Sequence, residues 1–107
     1  MNLGKAGEEK ACQFLKAKGL RILARNFHSR FGELDIVAQS AQTVHFIEVK
    51  STKHDDAIAR ITPQKLQKLY RTIEYYQLKH PFNADYQLDA IIVTKAGVEW
   101  VQNVSHL

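Results

Sequence analysis

The fold turns on GELDIVAQSAQTVHFIEVKS, residues 32–51. Two runs rich in β-branched residues, GELDIVAQ at 32–39 and TVHFIEVKS at 43–51, alternate around a short polar turn at Ser40 and Ala41, which is the pattern of a β-hairpin. With the turn centred between Ala41 and Gln42, Asp35 is expected opposite Glu48, Glu33 opposite Lys50 and Val37 opposite Phe46, all on one face. Leu34, Ile36, Ile47 and Val49 are expected on the other, apolar face. A one-residue slip would bury the carboxylates, so the hydrophobic pattern sets the register.

Outward from the hairpin, GKAGEEKACQFLKAKG at 4–19 has Gly7, Ala11, Phe14 and Leu15 at helical spacing, with Gly19 as its C-cap. RILARNF at 21–27 reads as a strand. A polar loop from Thr52 to Ile61 leads to Thr62-Pro63, an N-cap followed by proline at the first helical position. The helix over 63–79 places Leu66, Leu69, Tyr70, Ile73 and Tyr76 on one face and stops before Pro81. YQLDAIIVT at 86–94 and VEWVQNV at 98–104 are strands about the Lys95-Ala96-Gly97 turn. The order is α-β-β-β-α-β-β. A helix lies between the third and fourth strands, so those two should be parallel, and the first three should form an antiparallel meander. The expectation is an α/β domain with a mixed central sheet flanked by helices.

At 107 residues the chain has the length of a single domain spanning 1–107. Hydrophobic residues at 45% and charged residues at 24% are globular values that argue against disorder. One cysteine, Cys12, leaves no intrachain disulfide and no cysteine-based zinc site. The longest apolar run, Ala90–Val93, is far too short to cross a bilayer, and MNLGKAGEEK lacks the apolar core of a signal peptide. No membrane partner and a reduced, cytoplasmic location are therefore expected. Residues 1–80 carry fourteen basic and eight acidic side chains, against one and three in residues 81–107.

The chemistry sits in the hairpin. Two carboxylates roughly 5 Å apart on neighbouring strands repel one another, and a cation between them relieves this. Lys50, two residues from Glu48 on the same face, offers one charge; a divalent metal offers more. An all-oxygen set of Asp35, Glu48 and the backbone carbonyl of Val49 suits Mg²⁺ or Mn²⁺, with waters left for phosphate oxygens to displace. Phosphodiester hydrolysis uses such a metal together with a lysine that orients water or stabilises charge. The same E-x-K spacing also occurs on salt-bridged, solvated strand faces.

GxxGE at 4–8, RNF at 25–27, GELDIVA at 32–38, FIEVK at 46–50, TPQK at 62–65 and LDAIIV at 88–93 together resemble the YraN-like family, in this order from about Gly4 to Val104. That family is described as predicted endonucleases similar to archaeal Holliday-junction resolvases, within the PD-(D/E)XK nuclease superfamily. The resemblance implies the restriction-endonuclease-like αβββαβ core. It implies that Asp35 is the metal-binding aspartate, Glu48 the second acid and Lys50 the motif lysine, with Glu8 resembling the resolvases' acid on the first helix. Leu34 stands where the superfamily often has proline. Resolvase-like relatives act as dimers, so a homodimer is an expectation, with the edge strand near Trp100 as a candidate interface.

Two acids keep two readings each. Glu8 borders the apolar stripe of its helix beside Gly4 and Gly7, which would let the helix approach the sheet closely; it assists at the site or serves the helix dipole alone. Glu33 is a further ligand or the ion-pair partner of Lys50. Without Glu8, Glu33, Asp35 and Glu48, fifteen basic residues face seven acidic ones, an acidic pocket in a basic surround that suits a polyanionic substrate. Gln64 and Lys65, at the N-terminus of the second helix, are the leading phosphate-contact candidates, with Lys68, Arg30 and Lys53 beside them. The five histidines show no ligand spacing. Tyr75, Phe82 and Trp100 are assigned to core or interface, Cys12 is expected half-buried, and Asp89 is expected to anchor a turn or a buried hydrogen bond.

The resulting expectation is a Mg²⁺- or Mn²⁺-dependent endonuclease acting on DNA. Its alternative is a nucleic-acid-binding module of the same fold without turnover. No feature separates RNA from DNA as the polyanion.

Overall fold

Apolar residues at period two make five strands that pair in the order β1-β2-β3-β4-β5: Arg21–His28, Glu33–Gln39, Thr43–Ser51, Asp85–Thr94 and Gly97–Val101. The computed structural model describes residues 3–51 and 61–104. β1, β2 and β3 run antiparallel in turn, β3 and β4 are parallel, and β5 returns antiparallel to β4. Helices α1 (Leu3–Ala17) and α2 (Pro63–Lys79) complete the order read from the sequence. The protein is therefore a mixed α/β fold whose sheet is flanked by two helices, compatible with a restriction-endonuclease-like core.

Strand alternation divides the interior into two layers. Val37, Val44, Phe46, Leu88 and Ala90 pack against Leu69, Ile73 and Tyr76 of α2. Ile36, Ala38, Ile47, Ile91 and Val93 pack against Ala11, Cys12 and Leu15 of α1. Cys12 is 1% exposed, more deeply buried than the half-buried position expected, because its side of α1 turns fully onto the sheet.

Local signals end the helices where the sequence places them. Gly19 adopts φ 90°, and the Gly19 N–H donates to Lys16 O while the Leu20 N–H donates to Leu15 O, the paired bonds of a Schellman cap. Leu15 and Leu20 then meet in the same cluster. At α2, Thr62 Oγ1 accepts from the Lys65 N–H at 3.2 Å, and Pro63 follows the cap. Gly7 serves close approach, since a Cβ there would overlap Ser51 Oγ on β3.

The hairpin register is the one expected from the pattern, with Val37 opposite Phe46 and Ile36 opposite Ile47. Beyond that pair the structure departs from the expectation. Main-chain pairing of β2 with β3 stops at Ile36, and the β1–β2 ladder skips Asn26 and Asp35 while pairing the residues on either side. Asn26 sits at φ 53°, a conformation asparagine tolerates better than most residues. With Asp35 outside both ladders, alternation is interrupted. Leu34 joins Val37, three residues on, in the α2-side layer instead of facing α1 with Ile36. β5 is also shorter than 98–104, ending at Val101, and Asn103 turns the chain at φ 58°.

At the opposite end of the sheet, Asp89 is fully buried on the α1 side, as expected of a hydrogen-bonding anchor. Its Oδ2 accepts from Trp100 Nε1 at 2.9 Å and lies 2.7 Å from His45 Nδ1; its Oδ1 accepts from Gln87 Nε2 at 2.8 Å and the Asn103 N–H at 3.0 Å. His45 Nε2 meets Ser40 Oγ at 3.2 Å, and Ser40 also donates to Thr43 O, so one carboxylate ties the hairpin turn to β4 and β5. Trp100 is thereby turned into the α1-side layer, edge-on to Phe14 and His45. Removing this carboxylate strands buried donors. Asp89→Ala is expected to lower stability by about 2–4 kcal/mol, read from denaturant midpoints, whereas Glu99→Ala on exposed β5 changes it little.

Candidate metal and nucleic-acid site

The interruption at Asp35 opens a cavity of about 220 Å³ on the α2 side, lined by Phe31, Glu33, Asp35, Glu48, Lys65 and Lys68 among others. Asp35 and Glu48 thus face one space, as the sequence pattern requires. Asp35 Oδ2 accepts from the Val49 N–H at 2.8 Å, so a side-chain carboxylate takes the place of a main-chain acceptor where the ladder has ended. That bond holds Asp35 beside Glu48. Burial and the Glu48 charge push the Asp35 carboxyl up from 3.8 to about 7, with Glu8 and Glu33 adding to the rise and the Val49 N–H opposing it.

Glu48 is 6% exposed and reaches two ammonium groups through Oε1, Lys65 Nζ at 2.7 Å and Lys50 Nζ at 3.3 Å. Burial, together with the adjacent Lys65 charge, lowers the Lys50 pKa despite the neighbouring Glu48. Burial also opposes the charge on Lys65, but its contacts with Glu48 and Lys50 outweigh this and raise its pKa.

Lys50 therefore pairs with Glu48, not with Glu33 across the hairpin. Glu33 lies beyond the last β2–β3 pair and sits opposite His28 of β1, with His28 Nε2 at 3.7 Å. Asn26 supplies its second partner. With the amide nitrogen turned toward the acids, Asn26 donates to Glu33 Oε1 and to Glu8 Oε1, each at 2.9 Å. Glu8 comes from α1, on the other face of the sheet, and this bridge draws it into the acidic group at the end of the ladder. Its neighbour Glu9 turns away to Arg25, at 2.9 Å. The close approach at Gly7, one residue earlier, brings α1 near enough for this.

The basic candidates divide. Lys65 turns inward to Glu48 instead of outward to a phosphate, because the first turn of α2 overhangs the buried carboxylate. Gln64, Lys68 and Arg30 line a second, outer cavity of about 570 Å³ with Phe31, Gln67 and Arg71. Lys53 lies outside the described residues. Asn26 and Phe31 are not site candidates from sequence, where Arg71 counts only among the basic residues on the polar side of the second helix. Only the first left a local trace there: RNF puts an asparagine, prone to positive φ, inside a strand.

What the site can hold follows from its donors. Among the described residues, no three His, Cys, Asp or Glu side chains converge to hold a metal ion. Among the described residues, the metal-ligating side chains facing the cavity are carboxylates, with neither thiol nor imidazole among them. Such a set fits a hard divalent cation that uses two carboxylates and retains its waters. Among the described residues, no helix is long and apolar enough to cross a membrane.

A family model described as "Uncharacterised protein family UPF0102" matches residues 7–93. The chain belongs to the UPF0102 family. It is similar to a UPF0102 protein of Campylobacter jejuni subsp. jejuni serotype O:23/36 (strain 81-176), 46% identical over 103 residues that cover 95% of this chain and 92% of the relative. A UPF0102 protein of Campylobacter lari (strain RM2100) is 46% identical over 104 residues, covering 96% and 93%. One of Campylobacter fetus subsp. fetus (strain 82-40) is 45% identical over 103 residues, covering 95% and 92%. The UPF0102 match spans Glu8, Asn26, Asp35, Glu48, Lys50 and all of α2.

The raised Asp35 pKa has a signed consequence for stability. Between pH 4 and 7 the folded protein holds a proton that the unfolded chain has released, so stability falls as pH rises through this window and levels off above it. Asp35→Asn keeps an oxygen for the Val49 N–H and removes the repulsion. It is expected to be more stable than the parent at pH 8, by on the order of 1–3 kcal/mol, with the gap closing toward pH 4 in metal-free melts.

Proposed function

We propose that this protein is a metal-dependent endonuclease that hydrolyses phosphodiester bonds in DNA. The observation that carries the reading is the meeting of two carboxylates, the half-buried Asp35 and the buried Glu48, in one cavity that Lys65 and Lys68 also line, with Lys50 paired to Glu48. Asp35 and Glu48 would hold Mg²⁺ or Mn²⁺, with the Val49 carbonyl as a further oxygen and Glu8 assisting from α1. Bound there, a divalent ion would lower the pKa of an attacking water and neutralise charge on the phosphate. Lys50 donates hydrogen bonds that orient the water or a phosphate oxygen. Lys65, now paired with Glu48, is within reach to turn to the phosphate once that carboxylate is engaged elsewhere. Val49 keeps Asp35 aimed through its N–H, so the acid is positioned before substrate arrives. The resemblance to resolvases extends the reading to branched DNA and to a homodimer.

A second reading has its own support. Glu48 already contacts two ammonium groups, and these compete with a metal for its oxygens. A nucleic-acid-binding module without turnover would retain this arrangement permanently.

Cleavage of linear, flapped and four-way DNA with Mg²⁺ or Mn²⁺, and of matched RNA, separates the two. The wild type is expected to cut only with metal. Asp35→Ala, Glu48→Ala and Lys50→Ala, checked for folding by their melting curves, are each expected to lose roughly 100-fold or more in rate. Cutting that survives Asp35→Ala or excess EDTA overturns the proposal. Binding without cutting under every metal condition selects the module.

A further inference from the structure

The outer basic cavity adjoins the carboxylates directly, since Phe31 and Lys68 line both spaces. Arg30, Lys68 and Arg71 supply three cations to its wall, Gln64 and Gln67 supply two amides, and among the described residues no acidic side chain lines it. The Arg30 and Arg71 guanidiniums lie 4.9 and 5.4 Å from the Phe31 ring centroid, so an aromatic surface and two phosphate-binding forks are held together. This platform is fixed to α2. Ser29 Oγ, which accepts from the Phe31 N–H at 3.0 Å, is 2.9 Å from Thr72 Oγ1, and the Ser29 N–H closes the turn on Gly32 O at 2.9 Å.

A row of cations alone would bind any polyanion. The half-buried aromatic ring changes the chemistry, because a ring stacks on the face of a base, and that face is open only where the base is unpaired. At about 570 Å³ the space admits a nucleotide, and glutamine amides at its rim can donate to and accept from a base edge. A duplex offers this cleft its phosphates but not its base faces.

We propose that the Arg30–Phe31–Arg71 cleft is a subsite for one unpaired nucleotide next to the phosphate seated at Asp35 and Glu48. The preferred substrate then has a single-stranded or flapped segment at the cut. This inference rests on the nuclease reading for the neighbouring phosphate; its nucleotide-binding half is testable without hydrolysis.

The test measures binding of the full chain in EDTA, by fluorescence anisotropy, to a labelled single strand, a flapped duplex and a blunt hairpin duplex. Phe31→Leu is expected to weaken single-strand and flap binding roughly tenfold while changing the hairpin less than about twofold, the scale of one base–aromatic stack. Phe31→Trp is expected to retain binding, with indole emission beyond that of Trp100 quenched by the single strand. Arg71→Gln is expected to weaken all three ligands and lower the slope of log affinity against log salt by about one. Equal loss on strand and hairpin overturns the subsite, as does no loss in a Phe31→Leu protein with an unchanged melting temperature. Displacement of the strand by poly-aspartate at equal charge concentration also overturns it, since the cleft would then read charge alone. If the wild type cuts DNA but Phe31→Leu is silent, the subsite falls and the nuclease stands. If Phe31 governs strand binding but no metal supports cutting, the nuclease reading falls and the nucleotide subsite stands.

Discussion

Two carboxylates held in one cavity against their mutual repulsion are the constraint around which the protein is arranged. Asp35 gives up its place in both neighbouring ladders and takes the Val49 N–H with its side chain, which keeps it beside Glu48; burial and the Glu48 charge push its carboxyl up to about 7 against the pull of that bond. The cost of such a pair is met by concentrating cations on one member. Lys50 and Lys65 converge on Glu48, so the neutralised carboxylate and the strained one lie side by side. The proposed divalent cation would relieve the repulsion that remains on Asp35, in competition with the two ammonium groups on Glu48.

The surrounding elements serve this end of the sheet. α1 comes close at Gly7 and delivers Glu8, which Asn26 joins to Glu33. α2 begins at the Thr62 cap, so its first turn sets Lys65 over Glu48 and leaves Lys68 and Arg71 along the outer wall. The buried Asp89 network ties the turn of the same hairpin to β4 and β5 from the other end. Rigid support at one end permits an interrupted ladder at the other.

The contrast between two inner carboxylates is instructive. Asp89 accepts four hydrogen bonds and lines neither acidic nor basic cavity, so its environment is complete. Asp35 accepts one from the backbone and faces a like charge. Burial by itself does not make an acid a functional candidate; a half-buried acid with too few partners is a better one. This difference directs attention to Asp35, with no appeal to the resemblance of its motif.

Element order, helix caps and hairpin register were legible along the chain because each depends on local chemistry: period-two apolar alternation, a threonine before proline, a glycine free to adopt positive φ. The same alternation brought Asp35 and Glu48 to one cavity. It misplaced Leu34 and the partner of Lys50, because a period-two pattern presumes an unbroken ladder, and the break arises where β3 releases β2 and Asp35 drops out of the β1 ladder. Tertiary structure alone decided that Lys65 turns inward to Glu48 and that Asn26 links Glu8 to Glu33. It alone decided that Arg71 of α2 reaches the same Phe31 ring as its chain neighbour Arg30. These contacts join residues from different elements, and their energies depend on how helices pack across the sheet, a quantity that no single segment encodes.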